Sequence, residues 1–183
     1  MAFGANTGTY FYSIDRPLFY NYKEKFMNYQ LNSLAATYKL ARLIAEMIVP
    51  NFVITLNGDL GAGKTTLVRE ILYSLGVNGG IKSPTFTYVE PYKIDNIDIY
   101  HFDLYRFTSP EEWFDMGFDE YFIHPHLCFI EWAGNAGGLI PSIDWDITMQ
   151  VINEIHNCQI VAYTKKGHEC LKNLMENGAN LYS

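Results

Sequence analysis

The apolar stretch Phe52-Val53-Ile54-Thr55-Leu56 runs almost directly into Gly58-Asp59-Leu60-Gly61-Ala62-Gly63-Lys64-Thr65, a complete G-x-x-x-x-G-K-[ST] phosphate loop. That order constrains the fold more than any other feature. A buried strand has to stop, turn through glycines that leave backbone N–H groups free, and start a helix whose positive end faces phosphates. The pattern predicts binding of a nucleoside triphosphate; the bland alternative is a glycine-rich turn without a ligand. In the first reading the backbone amides of Gly61, Ala62, Gly63, Lys64, Thr65 and Thr66 cradle the phosphates. Lys64 then reaches the β and γ phosphates, and the Thr65 hydroxyl ligates Mg²⁺.

With 183 residues, of which 49% are hydrophobic and 16% aromatic, the chain has material for a single core. No uninterrupted apolar run approaches the roughly 18 residues of a membrane span, and the N-terminus lacks a basic-then-apolar signal pattern, so a cytoplasmic protein with no membrane partner is expected. Cys128, Cys158 and Cys170 have no metal-like spacing and are read as reduced, structural thiols. A formal net charge of -7 argues against direct binding of nucleic acid, whose phosphates are held mainly by clustered Lys and Arg. Any connection to RNA is expected to run through a partner.

Along the chain, Ser33 is a candidate N-cap for a helix with Leu34, Tyr38, Ala41, Ala45 and Ile48 on one face, stopped by Pro50. Beyond the phosphate loop, Leu67, Val68, Ile71, Leu72 and Leu75 form the buried face of a helix closed by Gly76. Gly79 and Gly80 open a loop into Ser83–Val89, which reads as a strand after Pro84. Ser83 and Thr85 have two equal readings there: a switch that senses the γ-phosphate, or hydroxyls that satisfy a turn. The stretch from Ile97 to Phe107 also reads as a strand, with His101, Asp103 and Tyr105 on one face and Tyr100, Phe102 and Leu104 on the other. A carboxylate in so apolar a strand is expensive unless paired or metal-bound, so Asp103 faces a cleft, or else it pairs with Arg106 or the backbone.

Ser109-Pro110-Glu111-Glu112 is a capping-box signature for a short helix ending at Gly117, with Trp113 and Phe114 expected in the core. Glu131 closes the apolar strand Leu127-Cys128-Phe129-Ile130, the position from which a carboxylate holds Mg²⁺ in phosphate-loop proteins; a solvated strand-end Glu is the alternative. His124 and His126 flank Pro125 without a third ligand, and read as a surface turn. Asp144–Thr148 and Gln159–Tyr163 alternate as late strands joined near 153–157, and His168 to Met175 reads as a terminal helix. The fold expected is α/β, a phosphate-loop NTPase-like three-layer sandwich whose mixed sheet is parallel around the loop and antiparallel in its C-terminal strands.

Taken together, the phosphate loop with Thr66, Ser83-Pro84-Thr85-Phe86-Thr87, His101-Phe102-Asp103-Leu104-Tyr105-Arg106 and Glu131-Trp132 resemble the TsaE family, also called YjeE. The likeness covers about Leu31 to Thr164, with the four motifs in order. It implies a Mg²⁺-dependent ATPase serving the N6-threonylcarbamoyl modification of the adenosine beside the tRNA anticodon. In that family the ATPase binds a complex of two other proteins, TsaB and TsaD. The resemblance also implies ATP over GTP, as does the absence of an Asn-Lys-x-Asp segment.

Matched to those motifs, Lys64 neutralises developing charge, Thr65 and Glu131 place Mg²⁺, and Asp103 orients or activates the attacking water. Trp132 either reports nucleotide state, contacts a partner, or packs. The chain departs from the family pattern at Ala133, where proline is usual, and at Glu154–Asn157 with His156, where an arginine is frequent. Residues 1–26 lie outside the resemblance, as an upstream start or an added interaction segment, and 27–183 are read as one domain. Two other function classes share the loop: a small-molecule kinase with Asp103 as base, and a binding module in which nucleotide occupancy controls docking and hydrolysis is incidental.

Overall fold

The structure, a computed structural model, describes residues 26–152 and 155–178. These form a seven-stranded sheet in the order β1-β7-β6-β2-β5-β4-β3. The strands are β1 (Phe26–Leu31), β2 (Phe52–Asn57), β3 (Val89–Ile94), β4 (Ile97–Asp103), β5 (His126–Glu131), β6 (Trp145–Ile152) and β7 (Ile155–Ala162). Its centre, β6-β2-β5-β4, is parallel; β3 at one edge and β7 on the other side run antiparallel to it, and β1 at the far edge pairs antiparallel with β7. The expected mixed sheet is therefore the one observed.

The central strands owe their position to composition. Phe52 to Thr55 and Leu127 to Ile130 are buried almost without interruption, as strands covered on both faces must be. Helices α1 (Leu34–Met47), α2 (Lys64–Leu75) and α4 (Lys165–Gly178) cover one face. There Leu40, Ile44, Leu67, Ile71, Ile54, Phe129 and Leu171 share one core. The short helix α3 (Glu112–Asp115) and two 3-10 turns cover β2, β5 and β4 on the other face, with Trp113, Phe118, Phe102 and Ile130 at the centre. Each fully buried large side chain contributes about 1.5–3 kcal/mol of transfer free energy, so these two layers hold the sheet rigid beneath the loop.

Several local expectations are met for the expected physical reason. Ser33 caps α1, its hydroxyl accepting from the Ala36 amide at 3.2 Å. Gly76 ends α2 in the left-handed conformation, φ 100°. Glu112 reaches back to accept from the amides of Thr108 and Ser109 at 2.7 and 3.0 Å, the reciprocal half of a capping box. The three cysteines are free and buried, and burial pushes the Cys158 thiol up to about 12, which keeps it protonated and unreactive.

Other expectations are corrected. Residues 84–87 form turns rather than a strand: the Tyr88 amide donates to Pro84 O at 2.8 Å, and Tyr88 takes a positive φ of 64°. The strand instead spans Val89–Ile94 and includes Pro91, which is tolerated because β3 is an edge strand. Strand β4 stops at Asp103, so Tyr105 leaves the sheet and is half-exposed, although Leu104 does join Phe102 in the core. Phe114 is exposed, and Trp113 alone fills the core position on α3. Helix α1 buries Thr37, Leu40, Ala41 and Ile44, leaving Leu34 and Tyr38 in solvent; both faces carry apolar residues, and the sheet selects the face with Leu40 and Ile44. His126 opens β5 and is buried, its Nδ1 donating to His124 O at 2.6 Å, so only His124 belongs to the exposed turn. Strand β1 was not foreseen as a strand, and residues 1–25 lie outside the described residues.

Candidate nucleotide-binding site

Strand β2 ends at Asn57, and the chain turns over the C-terminal end of the parallel sheet, where ligands collect in open α/β folds. Gly58, Gly61 and Gly63 have φ of 134°, 82° and 102°, a region that L side chains rarely enter. Gly58 is also pressed so close to Met149 O on β6 that a Cβ would collide with backbone. Gly63 is the N-cap of α2, and Lys64, Thr65 and Thr66 form its first turn, so the free amides of the helix start point into the loop.

Sheet register delivers the carboxylates. Leu56, the last residue of β2 but one, pairs with Glu131 on β5, and Glu131 pairs with Asp103 on β4. Two acids from separate motifs thus sit side by side at the strand ends beneath α2. Glu131 is 2% exposed, and each of its oxygens has a donor: Thr65 Oγ1 donates to Oε2 at 3.0 Å, and His101 Nε2 lies 2.8 Å from Oε1. The solvated strand-end reading of Glu131 is excluded by this burial. Asp103 accepts from the Tyr105 amide at 3.0 Å through Oδ1 and from Thr85 Oγ1 at 3.3 Å through Oδ2. It therefore both satisfies backbone and joins the site, while Arg106 lies against the Tyr88 ring at 4.3 Å.

Lys64 is buried, and its ammonium donates to Gly58 O at 2.7 Å and Asp59 O at 2.9 Å while resting 4.1 Å from the centroid of the Trp132 ring. Burial pushes its pKa down, against the opposing fields of Glu131, Asp103 and Asp59. A cation facing three carboxylates over a cradle of amides is suited to a polyanion carrying its own divalent counter-ion. Thr65 Oγ1 and Glu131 Oε2 converge as hard oxygen donors, the type Mg²⁺ takes while keeping several of its waters. No group of three or more His, Cys, Asp or Glu side chains arranged for a metal occurs among the described residues. Such a set is not needed where phosphate oxygens and water complete the coordination.

Around this centre, Ser83 Oγ and Thr85 Oγ1 share a hydrogen bond of 2.8 Å, which links the turn at 84–87 to Asp103. Leu60 on the phosphate loop and Phe86 in the turn at 84–87 are 78% and 87% exposed. Trp132 takes φ 59° and packs against Tyr105, ring centroids 4.9 Å apart. Ala133, at the position where the family usually has proline, is buried at the start of the turn that follows. His156 on β7 donates from Nδ1 to Ala62 O at 3.1 Å, joining the hairpin of β6 and β7 to the phosphate loop.

Sequence reasoning missed the roles of His101 and His156. Strand alternation does place His101 on the side of Asp103, but no linear spacing signals its bond to Glu131, thirty positions later.

A family model described as "Threonylcarbamoyl adenosine biosynthesis protein TsaE" matches residues 31–159. The chain is similar to the tRNA threonylcarbamoyladenosine biosynthesis protein TsaE of Haemophilus influenzae, 42% identical over 130 residues that cover 70% of this chain and 82% of the relative. It is 41% identical to the protein of the same name from Rickettsia conorii, over 76% of this chain and 80% of that one. Among solved structures, Bacillus subtilis YdiB superposes with a TM-score of 0.71 at 26% identity, covering 86% of this chain and 99% of that one. The chain belongs to the TsaE family of threonylcarbamoyl adenosine biosynthesis proteins.

Proposed function

We propose that this chain is a Mg²⁺-dependent ATPase that serves threonylcarbamoyl modification of the adenosine beside the tRNA anticodon, acting in the cytoplasm on a complex of TsaB and TsaD. The observation that carries the ATPase reading is the convergence of Lys64 and Thr65, at the start of α2, with Glu131 and Asp103 at the neighbouring strand ends. Membership of the family supports the pathway.

In this reading the amides of Gly61 to Thr66 hold the α and β phosphates. Lys64 leaves the carbonyls of Gly58 and Asp59 to neutralise charge on the β and γ phosphates. Thr65 and Glu131 would hold Mg²⁺, which would supply neutralisation of phosphate charge when bound. Asp103 orients a water molecule for attack on the γ-phosphorus and accepts its proton; the P–O bond to ADP breaks, and the products are ADP and inorganic phosphate. Thr85 donates to the same carboxylate, so the turn at 84–87 responds to whatever occupies the γ position.

The formal net charge of -7 supports contact with tRNA through partners rather than directly. The exposed Leu60 and Phe86 beside the site support a partner that covers it. Phosphate release with and without TsaB and TsaD, run beside a screen for phosphorylated small molecules, tests the proposal. Release stimulated by both proteins supports it. A phosphorylated small molecule in place of free phosphate turns the reading to a kinase, and tight ATP binding with no turnover under any condition turns it to a binding module.

A further inference from the structure

Glu131 holds its place through two hydrogen bonds, of which the one from Thr65 involves a hydroxyl that Mg²⁺ itself recruits in the function proposed above. The other comes from His101, a fully buried residue on β4 whose Nε2 lies 2.8 Å from Glu131 Oε1. Among the described residues His101 Nδ1 has no hydrogen-bond partner. A proton on Nε2 alone leaves a bare lone pair at Nδ1, whereas a second proton would leave a buried N–H unsatisfied, so the hydrogen-bond pattern assigns Nε2 as the donor. A ring nitrogen with nothing to bond is costly to keep in a core, and a Phe or Leu would fill the same space between β4 and its covering layers. Among the described residues, the one hydrogen bond His101 makes is with Glu131.

The terminal torsion of a Glu side chain is broad and roughly two-fold, so one bond from Thr65 leaves the carboxylate plane free to turn. Two donors, one on each oxygen, fix it. We propose that His101 is a positioning residue for the metal-binding carboxylate: its Nε2–H anchors Glu131 Oε1 so that Oε2 stays directed at Thr65 and the first turn of α2. The inference rests on the reading of Thr65 and Glu131 as the Mg²⁺ side of a nucleotide site. Partners that orient a metal-binding carboxylate from behind affect metal affinity far more than they affect the ligand's other contacts.

Two variants separate this role from packing. Gln at position 101 places its side-chain amide nitrogen near the site of Nε2 and can donate to Glu131, whereas Asn reaches only as far as Nδ1. Affinity for ATP is measured by calorimetry in EDTA and across a Mg²⁺ titration, with thermal denaturation of each variant. In EDTA, His101→Asn is expected to bind ATP as the parent does, while the Mg²⁺ concentration that gives half of the affinity gain rises about tenfold. His101→Gln is expected to restore most of that loss. In a Glu131→Gln background, His101→Asn is expected to add no further change, because the carboxylate it positions is gone.

The inference is overturned if His101→Asn leaves the Mg²⁺ titration unmoved, if Gln and Asn shift it equally, or if the effect persists undiminished without the Glu131 carboxylate. A parent protein whose ATP affinity ignores Mg²⁺ would overturn the reading of Thr65 and Glu131 itself, which is a different failure and is visible before any variant is made.

Discussion

Lys64 Nζ sits 4.1 Å from the centroid of the Trp132 ring while donating to two carbonyls of the loop that precedes it. The ammonium is thus held against the loop and an aromatic face, contacts that it exchanges for phosphate oxygens in the function proposed above. Lys64→Ala is expected to lower ATP turnover by roughly 10²-fold or more, in the range for removal of one charge-stabilising donor. Parallel measurements of phosphate release and ATP affinity check this; both at parental values would remove Lys64 from the site.

Because Asp103 accepts from Thr85 on one oxygen and from backbone on the other, Asp103→Asn preserves shape and much of the local bonding. It removes the charge that, in the function proposed above, accepts a proton from water. ATP binding is expected to persist while turnover falls by roughly 10²–10⁴-fold. Single-turnover assays at saturating ATP isolate the chemical step. Unchanged turnover would leave Asp103 with its backbone role only.

Glu131→Gln keeps an oxygen for the Thr65 hydroxyl but loses the negative charge that, in the function proposed above, is offered to Mg²⁺. The Mg²⁺ needed for half-maximal turnover is expected to rise at least about tenfold, with ATP affinity in EDTA little altered. A Mg²⁺ titration of both quantities decides whether Glu131 acts on the ion.

The centre of the site was legible in the sequence because its chemistry is local or periodic. A phosphate loop is a fixed spacing, and Glu131 and Asp103 each end an apolar strand, where parallel register sets Glu131 beside the end of β2 and Asp103 beside Glu131. His101 was not legible as a partner, since the bond to Glu131 crosses between strands that are 30 residues apart. Strand β3 was obscured by Pro91, which argues against a central strand but not an edge one, and by a Ser/Thr-rich turn whose side chains mimic strand propensity. On α1 the apolar residues exceed one face, so periodicity alone could not choose between Leu34 with Tyr38 and Leu40 with Ile44.

A fourth expectation concerns stability rather than catalysis. Asp146 on β6 accepts from Thr55 Oγ1 at 2.6 Å and Asn57 Nδ2 at 2.5 Å, tying β6 to the end of β2 just before the phosphate loop. Desolvation pushes its pKa above the ordinary carboxylate value, more than these two bonds pull it down. A raised pKa means that the folded protein holds this proton more tightly than the unfolded chain. This group's contribution to stability therefore falls as pH rises from the ordinary carboxylate value through the raised one. Asp146→Asn keeps an acceptor oxygen without the charge, so it is expected to be at least as stable as the parent at neutral pH and to lose that advantage toward acid. Urea denaturation at several pH values gives the comparison; a variant less stable at neutral pH would show that the carboxylate charge holds the two strands together.

In the function proposed above, the Gly58–Thr65 loop and the strand-end carboxylates form a Mg²⁺-dependent ATP-hydrolysing centre that works in company with TsaB and TsaD. The most direct measurement is inorganic phosphate released from ATP by this chain, with and without Mg²⁺ and with and without both proteins. Weak release by the chain alone, strong stimulation by TsaB and TsaD together, and abolition by EDTA or by Lys64→Ala are expected. Full turnover without partners, or release that survives both EDTA and Lys64→Ala, would contradict it.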